Sequence, residues 1–139
     1  VQPGSFVVMD GQYEAAGMSG ESGFAKALSV LTTVCSRPTP NRAVVDCGAK
    51  GIDLVAGMPD HRDEPNGKAI DGVLGYRLGG DEHGILDLDP ERLKFNEGAT
   101  LELLPQHCDP TVNLHDFFVC HRRGVVEAVH QIAGRGPGL

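Results

Sequence analysis

Short apolar segments that alternate with clusters of turn-forming residues constrain the fold more than any other feature of this sequence. The segments are rich in valine, leucine, isoleucine and threonine, which are common in β-strands, and glycine, proline, asparagine and aspartate separate them. Short strands at this spacing predict an all-β fold, either a compact β-barrel or a sandwich-like domain. The predicted strands are Phe6–Met9, Ala27–Cys35, Arg42–Asp46, Gly72–Leu78, Gly84–Leu88, Thr100–Leu104, Asp116–His121 and Val125–Ile132.

Helical signals are confined to short turns. The segment from Tyr13 to Phe24 is repeatedly interrupted by glycine, and Asp89–Leu93 fits one capped turn with proline at its first position. The polar, proline-containing segment Asp60–Asn66 predicts a loop. We therefore expect short helical turns and no long amphipathic helix.

Size and charge limit the classes of protein to consider. A chain of 139 residues has room for one hydrophobic core, so residues 1–139 are predicted to form a single domain. The net charge is −7, with scattered basic residues, so we expect no positive patch and no nucleic-acid partner. No apolar stretch approaches the roughly 20 residues that cross a bilayer, so no membrane partner is expected.

The four cysteines lack a C-x-x-C pair, which argues against a zinc knuckle or a thioredoxin-type motif. Two disulfides are formally possible. Since no secretory signal is recognisable, we instead expect reduced thiols and a cytoplasmic location.

His107 and Asp109 form the strongest candidate site. They follow the apolar segment Thr100–Leu104, so we expect them to project from one face of a strand end, with Cys108 on the opposite face. Pro110 cannot donate to a sheet ladder and is expected to end that strand. An imidazole beside a carboxylate suits a divalent ion such as Mn²⁺, Mg²⁺, Co²⁺ or Zn²⁺. The simpler alternative is a strand-end histidine next to a turn-forming aspartate.

Two further features near this pair have alternative interpretations. The cluster Asp81-Glu82-His83-Gly84 is either a hairpin turn or a loop that places Asp81 and His83 near a substrate. His115 and Asp116 are candidates to support His107 and Asp109 from a second layer of contacts. Cys108 is expected to pack inward, which argues against a nucleophilic cysteine activated by its neighbour.

Several motifs together resemble a known family. They resemble the C-terminal domain of metal-activated D-threonine aldolases and D-serine dehydratases, which are pyridoxal-phosphate enzymes with a cofactor-binding barrel and a smaller β domain. The resemblance implies that residues 1–139 are the β domain of a larger enzyme, and a first residue other than methionine fits a fragment, an excised domain or a processed chain. The motifs, in the family's order, are Pro3–Asp10 with Tyr13, Val45–Lys50, Asp81–Gly84, Pro105–Asn113 and Ala133–Gly136.

The resemblance also implies a function. His107 and Asp109 would be both metal ligands and catalytic residues, acting on a D-amino-acid substrate with pyridoxal phosphate held by the missing barrel. Aldolases of the family carry His-x-Asp and dehydratases more often His-x-Cys. Asp109 therefore favours a lyase that cleaves D-β-hydroxy amino acids to glycine and an aldehyde. A D-serine or hydroxyaspartate dehydratase domain, and a stand-alone metal-binding module without catalysis, are the alternatives.

The remaining implications concern partners. The chain alone is expected to be inactive, because the barrel of the same protein completes the site, and a second copy is expected as a homodimer partner. Lys50 is not expected to be the lysine that binds pyridoxal phosphate, which in the family lies in the barrel. We expect Lys50 to pair with an acidic residue or to cover the edge of the sheet.

Overall fold

The computed structural model describes residues 4–18, 23–62, 68–93 and 95–136, and it confirms a mostly β fold with short helices. The helical elements are a 3-10 turn (Ser5–Val7), α1 (Gly11–Ala15) and α2 (Cys108–Asn113). The strands are β1 (Val30–Thr39), β2 (Arg42–Val45), β3 (Asp60–Arg62), β4 (Val73–Leu78), β5 (Gly84–Leu88), β6 (Thr100–Leu104), β7 (Phe117–Arg122) and β8 (Val125–Gln131). Within these ranges no helix is both long and apolar enough to cross a bilayer.

Six strands form one antiparallel sheet in the order β3-β6-β1-β2-β5-β4. Its two edge strands contact each other, because the sheet curls into a nearly closed barrel. The long strand β1 allows this curvature: its first half pairs with β6 and its second half with β2. The β1–β2 register shifts on both sides of Ser36, and Pro38 lies in this irregular stretch, where it interrupts no regular ladder.

The core fills the inside of this curled sheet. Alternate residues of β2 and β5 point inward, as period-two strands require. Strand β6 is buried on both faces, because the side chain of Glu102 on its outer face is covered by Arg62 and His121. The buried core consists of Val34, Ala43, Val45, Cys47, Ile52, Val73, Tyr76, Leu86, Leu88, Leu101 and Leu103.

Two sequence predictions of secondary structure were wrong. Phe6–Met9 is not a strand: Ser5–Val7 forms a 3-10 turn and Met9 has a φ of +58°, which no extended segment allows. Asp60–Arg62 is the strand β3 rather than part of a loop, because its backbone pairs with β6 at the sheet edge. Residues 63–67 of that predicted loop lie outside the described residues.

Strands β7 and β8 form a separate two-stranded ribbon. Val119 lies directly opposite Val129, so the two side chains share a face, and both are more than half exposed. His121 Nε2 lies 3.6 Å from Glu102 Oε1 and links the ribbon to the main sheet. A long apolar ribbon with this exposure is a surface that another polypeptide usually covers.

Candidate functional site

His107 and Asp109 lie at the start of α2, which corrects the prediction that they share a strand face. Strand β6 ends at Leu104, and His107 is the extended N-cap residue of α2 (φ −138°, ψ 123°), while Asp109 lies in the first helical turn. Pro110 does not end a strand. It is accommodated in the first turn of α2, where backbone N–H groups have no intrahelical acceptor.

Asp10 is the acidic residue that reaches His107. Its side chain is fully buried, and its Oδ2 lies 3.4 Å from His107 Nδ1, a long hydrogen bond. The same oxygen accepts a 3.2 Å hydrogen bond from Cys108 N, and Oδ1 accepts a 3.0 Å hydrogen bond from Tyr13 N as the N-cap of α1. Burial by itself raises the pKa of the Asp10 carboxyl, but these hydrogen bonds outweigh burial and leave its pKa below the ordinary value.

The chain around Asp10 packs along the segment that leads into α2. Gly11 N donates to Pro105 O and Gln12 N to Gln106 O, at 3.3 and 3.2 Å. A Cβ at Gly11 would lie 1.9 Å from the side-chain oxygen of Gln106, so only glycine fits there. The Cys108 thiol donates to the carbonyl of Met9, the residue with the left-handed backbone. Several independent contacts thus fix the position of the Asp10 carboxylate.

The side chains at the start of α2 differ in exposure. The His107 side chain is 34 % exposed and Asp109 is exposed, so both can meet a ligand from solvent. Cys108 is buried, which confirms the prediction that it packs inward. Burial, followed by the charges of Asp10 and Asp109, raises the pKa of the Cys108 thiol to about 12. Cys108 is therefore a neutral packing group and not a nucleophile.

The donor set at this position fits a divalent metal ion. His107 turns Nδ1 toward Asp10, which leaves Nε2 as the ligand atom, and Asp109 offers a carboxylate two residues further along. Residues so spaced have Cα atoms within about 7 Å, so both side chains can share one ion. In the described part of the chain, no group of three or more potential metal-ligating side chains comes together. Further ligands would have to be water, substrate or residues outside this chain.

Asp81 and His83 lie in the turn between β4 and β5, which confirms the hairpin interpretation of that cluster. Gly79 N donates to His83 O at 2.9 Å and closes the turn, and both predicted site residues are exposed. Lys50 Nζ lies 2.5 Å from Glu82 Oε1, so Lys50 pairs with an acidic residue as predicted. The proximity of Asp81 and His83 to a substrate stays a prediction.

The segment from Cys47 to Ile52, here called the 47–52 loop, connects the β4–β5 turn with α2. Ala49 N and Lys50 N donate to carbonyls of the turn, at 3.2 and 3.0 Å. On its other side, Gly51 O lies 2.7 Å from His115 Nε2, just after α2. The two predicted functional segments therefore rest on one common loop.

His115 and Asp116 do not contact His107 or Asp109 as predicted. His115 binds the 47–52 loop through Gly51, and Asp116 pairs with Arg135. Both residues thus fix the path of the chain after α2. The support for His107 comes instead from Asp10, which sequence reasoning missed. An aspartate before Gly11-Gln12-Tyr13 is an N-cap signal, but that signal does not identify a partner 97 residues away.

Comparisons with known proteins give a consistent result. A family model described as "Putative serine dehydratase domain" matches residues 27–121. D-threonine aldolase from Arthrobacter sp. is 40% identical over 98% of this chain and 34% of that protein. 3-Hydroxy-D-aspartate aldolase from Paracoccus denitrificans (strain Pd 1222) is 37% identical over 99% of this chain and 35% of that protein.

A solved structure has the same fold. The crystal structure of D-threonine aldolase from Filomicrobium marinum matches with a TM-score of 0.81 and 35% identity, over 96% of this chain and 35% of that one. The chain thus spans about a third of the length of the curated relatives it matches.

Proposed function

Because the chain belongs to the serine dehydratase domain family, we propose that it is the metal-binding β domain of a pyridoxal-phosphate lyase that cleaves D-β-hydroxy amino acids to glycine and an aldehyde. One observation carries the proposal: the chain aligns over 98% and 99% of its length with two aldolases. The substrates in the names of those two relatives, D-threonine and 3-hydroxy-D-aspartate, both carry a hydroxyl on the β-carbon.

The proposed ligands of the metal are His107 and Asp109. A bound divalent ion would supply Lewis acidity at the β-hydroxyl of the substrate. His107 offers a half-exposed imidazole whose other nitrogen faces Asp10, and Asp109 offers an exposed carboxylate. The buried Cys108 thiol between them remains protonated and does not compete as a ligand. Asp81 and His83, on the exposed turn beside the 47–52 loop, are proposed to face the substrate.

The rest of the reaction is assigned to the part of the protein outside this chain. Pyridoxal phosphate would be bound there and would supply the sink for the electrons of the broken Cα–Cβ bond. The exposed apolar face of the β7–β8 ribbon, with Val119 and Val129, is proposed to pack on that missing part. The chain alone is proposed to be inactive. All four cysteines are free, which supports a reducing compartment such as the cytoplasm.

Product analysis tests the proposal. The full-length protein is incubated with D-threonine, pyridoxal phosphate and Mn²⁺, and glycine, acetaldehyde, keto acid and ammonia are quantified. We expect glycine and acetaldehyde in equal amounts, with loss of activity in His107→Ala and Asp109→Ala. Asp71→Asn, which removes an exposed partner of Arg92, is the matched control and should keep full activity. Equal activity of all variants would refute the assignment of the site.

A dehydratase is the second candidate, because the matching family model is described as a serine dehydratase domain. In that case the same ligands would assist loss of the hydroxyl, and D-serine would give a keto acid and ammonia. Dominant keto acid in the product analysis would move the protein to this activity. A stand-alone metal-binding module would give neither product with the full-length protein.

A further inference from the structure

Asp10 has an unusual place in this fold, because its carboxylate is completely buried at the junction of α1 and α2. Within the described residues, the basic side chain that reaches it is His107. Backbone N–H groups of Tyr13 and Cys108 already donate to its two oxygens, at 3.0 and 3.2 Å. Both oxygens therefore act as hydrogen-bond acceptors. A ring nitrogen that meets one of them must carry the proton.

We propose that Asp10 is a positioning residue that holds His107 in the Nδ1–H tautomer and so presents Nε2 as the metal ligand; this inference rests on the proposed function. Metal-binding histidines commonly donate their second ring nitrogen to a carboxylate, which fixes the ring and raises its basicity. Here the carboxylate comes from the opposite end of the chain. The contacts of Gly11 and Gln12 with Pro105 and Gln106 hold it in place.

The surroundings of Asp10 separate this role from simple helix capping. Asp10 Oδ1 caps α1 through Tyr13 N, whereas Oδ2 serves His107 and Cys108. A serine at position 10 keeps the capping function but is too short to reach the imidazole. An asparagine keeps the size of the side chain, but it has only one acceptor oxygen and cannot meet every donor.

The tautomer of His107 is the direct readout. The metal-free 139-residue chain, labelled with ¹⁵N-histidine, is studied by long-range ¹H–¹⁵N correlation at roughly pH 8.5, above the ordinary titration range of histidine. The signal is assigned from its absence in His107→Gln. We expect a protonated Nδ1 in the natural chain, and loss of that signature in both Asp10→Asn and Asp10→Ser. Asp89→Asn is the matched control, because Asp89 caps Glu91 N in a remote turn, and it should leave the His107 signal unchanged.

Calorimetry with Mn²⁺ on the same samples gives the second readout. We expect both Asp10 variants to bind Mn²⁺ about 10- to 100-fold more weakly, while Asp89→Asn binds as the natural chain does. An unchanged tautomer and affinity in folded Asp10→Ser would overturn the proposal. If Mn²⁺ fails to bind the natural chain although Asp10 sets the tautomer, the metal site of the proposed function is refuted and the positioning of His107 stands. If Mn²⁺ binds and Asp10 has no influence, only the positioning role is refuted.

Discussion

The phenol of Tyr76 donates a 2.8 Å hydrogen bond to the backbone carbonyl of Cys47 inside the core. Burial, followed by the charge of Cys47, raises the pKa of Tyr76 to about 12, so the phenol remains a donor at neutral pH. This bond ties strand β4 to the 47–52 loop. The loop in turn holds the turn with Asp81 and His83, so the position of that turn depends on the core.

Gly48→Ala should destabilise the protein by roughly 1–3 kcal/mol, the usual range for overpacking. A Cβ at Gly48 would lie 2.4 Å from Gly80 O and 2.5 Å from His83 N, and both are backbone atoms that cannot easily move. Urea unfolding measures the change. Gly75→Ala is the control, because an added Cβ there meets nothing within 4 Å. Equal unfolding free energies for the two variants would contradict the close packing of the turn on the 47–52 loop.

Glu102→Gln should lower the unfolding free energy by about 3 kcal/mol, because it leaves Arg62 without its buried partner. The 4 % exposure of the Glu102 side chain decides this magnitude, since ion pairs in solvent contribute little. Glu127→Gln removes the exposed partner of Arg122 and should change stability by less than about 1 kcal/mol. The prediction fails if thermal or urea unfolding gives both variants the same small effect.

Asp46→Asn should remove a contribution to stability that depends on acid pH. Burial raises the pKa of the Asp46 carboxyl, but hydrogen bonds from Thr33 N and the Thr32 hydroxyl, both 2.7 Å, prevail and lower its pKa below the ordinary 3.8. A lowered folded pKa means that the stabilisation is complete above the ordinary pKa and disappears as the pH falls through the folded pKa.

The measurement for Asp46 is a series of urea unfolding curves from neutral to acid pH. The natural chain should be more stable than Asp46→Asn at neutral pH, and the difference should shrink below about pH 4. A difference that stays constant down to the acid limit would show that the ionised carboxylate contributes nothing special.

The isolated chain should bind a hydrophobic dye through the β7–β8 ribbon, because its apolar face is uncovered. The double variant Val119→Lys, Val129→Lys should bind much less dye, since the two exposed valines lie opposite each other on one face. Val55→Lys removes a 97 % exposed valine outside the ribbon and serves as the control. Dye fluorescence that is the same for all three proteins would place the apolar surface elsewhere.

Asp109→Cys should keep a metal site and shift its preference toward Zn²⁺ over Mn²⁺, because thiolate is a softer ligand than carboxylate. Calorimetric titration of both ions gives the ratio of affinities before and after the change. His107→Ala should instead weaken binding of both ions. An unchanged ratio in Asp109→Cys would show that residue 109 does not contact the metal.

Local sequence patterns were sufficient wherever neighbouring residues alone determine the structure. Strands Gly84–Leu88 and Thr100–Leu104 agree with the prediction to the residue, because apolar alternation and flanking turn residues are encoded within each segment. The short helical turns, the inward position of Cys108 and the pairing of Lys50 with an acidic residue were also predicted correctly. Side-chain type and periodicity determine these features without reference to distant partners.

Tertiary structure decided the features that depend on distant partners. Asp60–Arg62 is a strand only because β6 supplies the hydrogen bonds for its polar edge. His107 is a helix N-cap rather than a strand residue, since Pro105 follows the end of β6 and the chain then turns into α2. Asp10 reaches His107 across 97 positions. No local pattern encodes such a contact, because it forms only when the first and last thirds of the chain pack against each other.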